Sequence, residues 1–208
     1  GLTNTITQAT ITASTNAFCT GGSSTLTANT GASYKWFNGN TQVGTAKTYT
    51  ATTGGNYKVE VTYNSGSKST SAVTTITVNA APTATITSPT NSLCAGGSVV
   101  LTASAGTSYK WFNGTTQVGT AATLMANAGG AYTVEVTNAA GCKTTSAVKT
   151  ITVNTAPTAT ITSPTNSFCA GGSVVLTASA GTAYKWFNGT TQVGTAATLT
   201  ATAAGSYI

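Results

Sequence analysis

The chain has 208 residues, with eight Lys, two Glu and no Arg, His or Asp, so only 5% of it is charged and the formal net charge is +6. That inventory excludes a Ser-His-Asp triad and a His-based metal site, and no carboxylate pair for acid–base work is expected, since Glu60 and Glu135 each stand alone in their part of the chain. Hydrophobic residues make up 40%, too many for a disordered chain, while Thr, Ser, Asn and Gly break every apolar run short of the roughly 18 residues a membrane helix needs.

The composition therefore reads as a soluble globular protein whose surface is covered by neutral polar groups. The Lys residues are spread thinly along the chain and no Arg joins them, so no nucleic-acid partner is expected. No catalysis, cofactor or metal is expected either, and the Asp and Glu oxygens that calcium would require are missing.

The string YKWFNG begins at Tyr34, Tyr109 and Tyr184, and its neighbours keep the same 75-residue spacing: Cys19, Cys94 and Cys169; Trp36, Trp111 and Trp186; Glu60 and Glu135. Pro82–Tyr132 matches Pro157–Tyr207 at 45 of 51 positions. Self-similarity at a fixed period marks a repeat array. The boundaries fall at residues 1–79, 80–154 and 155–208, and the third module is expected to be truncated before its last strands.

The first module is the most diverged, with Lys47, Tyr49 and Tyr63 as its own variations. Its stretch NSGSKSTS (64–71) reads as a hairpin turn. The second is complete and supplies the elements in order: SVVLTAS (98–104), YKWFNG (109–114), ATLMAN (122–127), YTVEVTN (132–138) and VKTITVN (148–154). Each is rich in β-branched or aromatic residues and bounded by Gly, Asn or Ala-Gly turns, and none shows helical periodicity. Short strands at this spacing predict a β-sandwich.

Alternation puts Tyr109 and Trp111 on one face and Lys110 and Phe112 on the other; Tyr132, Val134 and Val136 share the inner face of their strand. Trp36, Trp111 and Trp186 are thus the expected core anchors, with Trp111 packed on Val134 and on Val100 or Leu101. A buried Trp removes roughly 150–250 Å² from water, which a module of this size needs. Lys110 and Glu135 are expected to pair across the outer face.

The succession Cys-x-Gly-Gly-Ser-Val-x-Leu-Thr-Ala, Tyr-x-Trp-Phe-Asn-Gly and Gly-x-Tyr-Thr-Val-x-Val-Thr-Asn-x-x-Gly-Cys resembles the Ig-like modules of giant surface proteins in Bacteroidetes. Those proteins are typically exported by the type IX secretion system and include the gliding-motility adhesins. The likeness runs over essentially the whole chain. It implies an all-β fold of tandem immunoglobulin-like sandwiches arranged head to tail, the last incomplete, in an extracellular, stalk-like adhesin.

Four Cys in a chain of this kind suggest disulfides. In an Ig-like strand order, Cys94 lies at the bottom of its sandwich and Cys142 at the top, separated by about 23 Å of strand, whereas a disulfide needs Cα atoms within about 7 Å. Two pairings stay open. Cys94 joins Cys142 within module 2, or Cys19 joins Cys142 across the module junction, Cys94 then bonding the equivalent Cys of a complete third module and Cys169 a partner outside the segment. Ser67 stands where module 1 would carry its counterpart of Cys142. A cross-module link would stiffen short Pro-containing linkers such as NAAPTATI and carry tension past an unfolded module.

Phe37, Phe112 and Phe187 fall on the outer face beside Lys35, Lys110 and Lys185. They form either a repeated contact stripe or residues covered by an adjoining strand. Asn113 and Asn188 stand in N-x-T sequons. The expected role is a structural segment that extends and bears load, with neighbouring modules of the same chain as partners. The alternatives are a module that binds surface polysaccharide and a subunit that assembles laterally with like chains into a fibre.

Overall fold

The computed structural model describes residues 7–208, and no helix occurs among them. In module 1 the strands are β1 (Ile11–Ala13), β2 (Ala17–Cys19), β3 (Ser24–Ala28), β4 (Ser33–Asn38), β5 (Thr41–Gly44), β6 (Thr48–Ala51), β7 (Gly55–Thr62), β8 (Lys68–Thr70) and β9 (Thr74–Asn79). They build two sheets, β1-β3-β6 and β2-β9-β7-β4-β5, with β8 added on β7.

The leading segment is shared between the sheets. β1 pairs antiparallel with β3, and after a crossover β2 lies parallel to β9, with Ala17 opposite Thr77 and Cys19 opposite Asn79. The fully buried Ser24 holds the crossover by donating to the Thr15 carbonyl at 2.6 Å. An antiparallel sandwich whose split first strand runs parallel to its last is an Ig-like arrangement.

Module 2 repeats this with β10 (Ile86–Thr87), β11 (Ser92–Cys94), β12 (Val99–Ala103), β13 (Ser108–Asn113), β14 (Thr116–Gly119), β15 (Thr123–Ala126), β16 (Gly130–Thr137), β17 (Lys143–Thr145) and β18 (Lys149–Asn154). Its sheets are β10-β12-β15 and β11-β18-β16-β13-β14, with β17 on β16. Module 3 contains β19 (Ile161–Thr162), β20 (Val174–Ala178), β21 (Trp186–Asn188), β22 (Thr191–Gly194) and β23 (Thr198–Ala201), in the sheet β19-β20-β23 and the pair β21-β22. Tyr207 adds a single bridge to Asn188.

Each module has a core of its own. Leu26, Trp36, Tyr57, Val59, Val61 and Ile76 form one cluster; Leu101, Trp111, Tyr132, Val134, Val136 and Ile151 a second; Val174, Leu176, Trp186 and Ala201 a third. Trp36 and Trp111 are completely buried and Trp186 is 2% exposed. Every indole N–H donates to a loop carbonyl ten residues on: Trp36 to Ala46 at 2.8 Å, Trp111 to Ala121 at 2.8 Å and Trp186 to Ala196 at 2.7 Å. Burial of the ring therefore leaves no donor unpaid.

A second aromatic device recurs beside it. The hydroxyls of Tyr57, Tyr132 and Tyr207 donate to the carbonyls of Thr53, Ala128 and Ala203, four residues upstream, as the tyrosine corner of Ig-type sandwiches does.

The structure refines the predicted elements. Trp111 faces Val134 in register, and Leu101 is the inward residue while Val100 is exposed. Strands of two to four residues at 86–87, 92–94, 116–119 and 143–145 join the five predicted ones; such lengths carry too little pattern to be read from sequence. Residues 68–70 of the predicted turn form β8.

One expectation is overturned. Lys110 stands opposite Glu135 in register, yet the carboxylate takes Lys143 instead, at 3.1 Å, and Glu60 takes Lys68 at 3.4 Å. Lys143 and Lys68 stand two positions away on the short strand across the hairpin, opposite Thr137 and Thr62, and reach the carboxylate diagonally.

By packing, the chain divides into two compact units: Gly1–Leu93 with Ser98–Thr152, and Cys94–Gly97 with Val153–Ile208. Modules 1 and 2 thus belong to one unit. In the other, a cavity of about 620 Å³ borders Phe168, Leu176, Ala201 and Tyr207. The matching Leu93, Leu101, Ala126 and Tyr132 of module 2 are buried in one cluster with Val136 and Ile151, so this is core-facing surface of the repeat.

Candidate inter-module junction

Cys19 ends β2 and opens a tight turn in which the Gly22 N–H donates to the Cys19 carbonyl at 2.8 Å. Thr20 ties that turn to the last residue of β9: its N–H and its Oγ1 donate to the Asn79 carbonyl at 3.0 and 3.2 Å. Cys19 is therefore held where module 1 ends and the linker begins.

Cys142 closes the turn between β16 and β17. The Asn138 N–H donates to the Cys142 carbonyl at 3.0 Å, and Gly141 takes the φ of 80° that this reversal requires. Asn138 is the organising side chain. Its Oδ1 accepts from the N–H groups of Ala140 at 3.1 Å and Cys142 at 3.0 Å, and its Nδ2 donates to the Ala80 carbonyl of the linker at 2.8 Å. One amide thus shapes the Cys142 turn and grips the segment leaving module 1.

The two sulfurs are bonded. Cys19 and Cys142 form a disulfide with Cα atoms 5.6 Å apart and a sequence separation of 123. Cys142 is 1% exposed and Cys19 half-buried, so the bridge is partly shielded from solvent reductants. The Cys94–Cys142 pairing is not formed, and Cys94 and Cys169 are exposed free thiols. Both repeat the turn of Cys19, with Gly97 and Gly172 donating to the carbonyls of Cys94 and Cys169 at 2.8 Å each. In module 1 the turn matching that of Cys142 keeps its backbone bonds, Tyr63 N–H to the Ser67 carbonyl at 2.9 Å and Gly66 N–H to the Tyr63 carbonyl at 2.8 Å, with the Ser67 hydroxyl in place of a sulfur.

The other predicted positions lie away from the junction. Phe37, Phe112 and Phe187 are half-buried on the outer face, and Lys58 reaches over the Phe37 ring at 5.8 Å. Asn113 packs its side-chain amide against Gly130, where a Cβ would sit 2.0 Å from its Oδ1, and its Nδ2 donates to the Gly129 carbonyl at 3.3 Å. That packing gives the Asn of the YKWFNG string a structural task independent of any glycan. Burial, and secondarily the neighbouring Tyr57, raises the Tyr49 phenol above its ordinary value of 10.0. Among the described residues no three His, Cys, Asp or Glu gather as metal ligands, and no helix is long and apolar enough to cross a membrane.

Two residues of consequence had only faint sequence signals. Asn138 shows merely as the Asn before Ala-Ala-Gly-Cys. Ser146, 8% exposed, sits at the break between β17 and β18 and accepts the Val134 N–H at 3.1 Å while donating to the Ala147 carbonyl at 2.9 Å. Its counterpart Ser71 does the same for Val59 at 3.1 Å. The repeated Ser-Ala-Val at 71–73 and 146–148 is the trace it leaves in the sequence.

No curated protein matches the chain at the level of sequence. Among solved structures it is similar to the three N-terminal domains of the outer capsid protein Hoc of bacteriophage RB49, at 18% identity and a TM-score of 0.41, covering 91% of this chain and 80% of that one. It is also similar to fibronectin(III)-like modules of Clostridium thermocellum CbhA, at 16% identity, TM-score 0.40 and 70% and 94% coverage. Murine CEACAM1b follows at 14% identity, TM-score 0.37 and 71% and 100% coverage. Residues 80–157, the second module with the start of the next linker, match the family described as Ig-like domain CHU_C associated.

Proposed function

We propose that the chain is a stalk segment of an extracellular repetitive adhesin, made of modules at 1–79, 80–154 and 155–208, whose work is to extend and bear load without catalysis. The observation that carries this reading is the disulfide between Cys19 and Cys142, since a bond that crosses a module boundary constrains an array and contributes nothing to a single ligand site. Three separate Trp-centred cores and a family match over module 2 support it. An oxidising, extracellular location accords with the bridge. The likeness to Bacteroidetes surface adhesins adds export by a type IX route and a role in gliding or attachment.

The turns at Cys94 and Cys169 copy the one at Cys19, so each is proposed to accept the upper Cys of a following module. Half-burial of Phe37, Phe112 and Phe187 weighs toward a spacer and away from a polysaccharide-binding stripe.

Two measurements test the proposal. Non-reducing peptide mapping of the chain recovered from an oxidising compartment is expected to yield a Cys19–Cys142 pair; a Cys94–Cys142 pair defeats the cross-module arrangement. A glycan array probed with the whole chain is expected to stay blank, and saturable binding to any polysaccharide class defeats the spacer reading.

A further inference from the structure

We infer that the disulfide serves as a load bypass: under tension it routes force along strands that are already extended and leaves the cores of modules 1 and 2 off the load path. The inference rests on the load-bearing reading for its biological sense. Its physics stands on chain connectivity alone.

The covalent route can be traced residue by residue. From the N-terminal side, tension enters β1 and β2 and reaches Cys19, where β2 ends against the last residue of β9. It crosses to Cys142, at the head of the segment that carries β17 and β18, and leaves along that segment to Asn154. Every strand from β3 to β16 lies inside the loop that the bridge closes. Those strands carry Leu26, Trp36, Tyr57, Val59 and Ile76 of one core and Leu101, Trp111, Tyr132, Val134 and Val136 of the other. Of the two buried clusters, Ala9 and Ile151 lie on the route, and the buried Cys142 and Ser146 lie on it outside those clusters.

The two segments on the route have little length to give. A strand rises about 3.2–3.4 Å per residue and a stretched chain at most about 3.6 Å, so they can lengthen by roughly a tenth. The loop of 123 residues, by contrast, would release about 400 Å if it were opened.

Without the bridge the route changes. Tension entering β2 must leave module 1 through β9, its parallel partner. Pulled at the start of one and the end of the other, the pair slides with all its hydrogen bonds loaded together. Once it yields, β3 to β9 are on the path and the core around Trp36 opens. Module 2 is then loaded between β11 and its neighbour β18 in the same way.

Stretching the 208-residue chain by its ends in an optical trap, with Cys94 and Cys169 alkylated, reads the difference. The oxidised chain is expected to release length from the third module alone, and its full extension to fall short of the reduced chain's by about 400 Å. The reduced chain should show additional rupture events from the first two modules. Cys19→Ser should behave as the reduced chain; if that variant folds poorly, mild reduction of the alkylated wild type makes the same comparison. Equal extension of the oxidised and reduced forms, or module-sized releases from the first two modules while the bridge is intact, overturns the inference. Either result leaves the spacer reading standing, whereas polysaccharide binding on the array defeats that reading and leaves the load path untouched.

Discussion

Trp111 makes the case at the scale of one residue. Its indole fills the centre of a module with few other large side chains, and its N–H finds the Ala121 carbonyl at 2.8 Å. Trp111→Ala should cost about 3–5 kcal/mol, read by urea unfolding followed by far-ultraviolet circular dichroism. An equally steep loss at an exposed site such as Val100 would show that the core is not centred where it is placed here. Lying on the side of the strand opposite Lys110, Trp111 was legible from alternation alone.

Tyr49 is a residue-scale feature peculiar to module 1. It stacks on Trp36 at 6.1 Å and is tilted toward Tyr57 at 5.7 Å, where modules 2 and 3 carry Leu124 and Leu199. Burial first, and Tyr57 second, raise its pKa above 10.0. A phenol raised on folding contributes stability that is complete below its unfolded pKa and is lost as pH climbs through the folded value. Module 1 should therefore weaken above about pH 10, and Tyr49→Phe should make that alkaline decline shallower in thermal melts. A decline of unchanged slope would assign it to other groups.

At the scale of elements, the last strand of modules 1 and 2 is broken, and a buried Ser spans the break. The Val134 N–H would be left without a partner in Ser146→Ala, which should cost about 1–3 kcal/mol and hasten amide exchange at Val134. Retention of full stability would mean that the ladder closes without the hydroxyl. Sequence periodicity found β13, with Trp111 buried, and β16, with Tyr132, Val134 and Val136 buried in alternation, because period-2 patterning survives over six to eight residues. It missed β11 and β17, three residues each, and it paired Glu135 with the residue directly opposite. Register alone does not decide an ion pair between long, half-exposed side chains; the hairpin that brings Lys143 alongside does.

At the scale of the molecule, the disulfide joins two cores that the repeat would otherwise leave independent. Closing a loop of 123 residues stabilises the folded pair by about 5 kcal/mol in the chain-entropy account. Cys142→Ser should lower the midpoint of unfolding for modules 1 and 2 and separate one joint transition into two, seen by calorimetry on the whole chain. A single unshifted transition would show that the linker contacts, including the Asn138 bond to Ala80, already couple them. Asn138→Ala would then be the variant that separates the two.

The sequence by itself determined the repeat, the three Trp positions and the all-β class, because composition and periodicity are local properties that need no third dimension. Only the tertiary structure decided between the two cysteine pairings. The residues concerned are 123 apart along the chain, and what brings their Cα atoms to 5.6 Å is the end of one sandwich meeting a turn of the next. That meeting is set by a short linker and one Asn amide, and no pattern within a module encodes it.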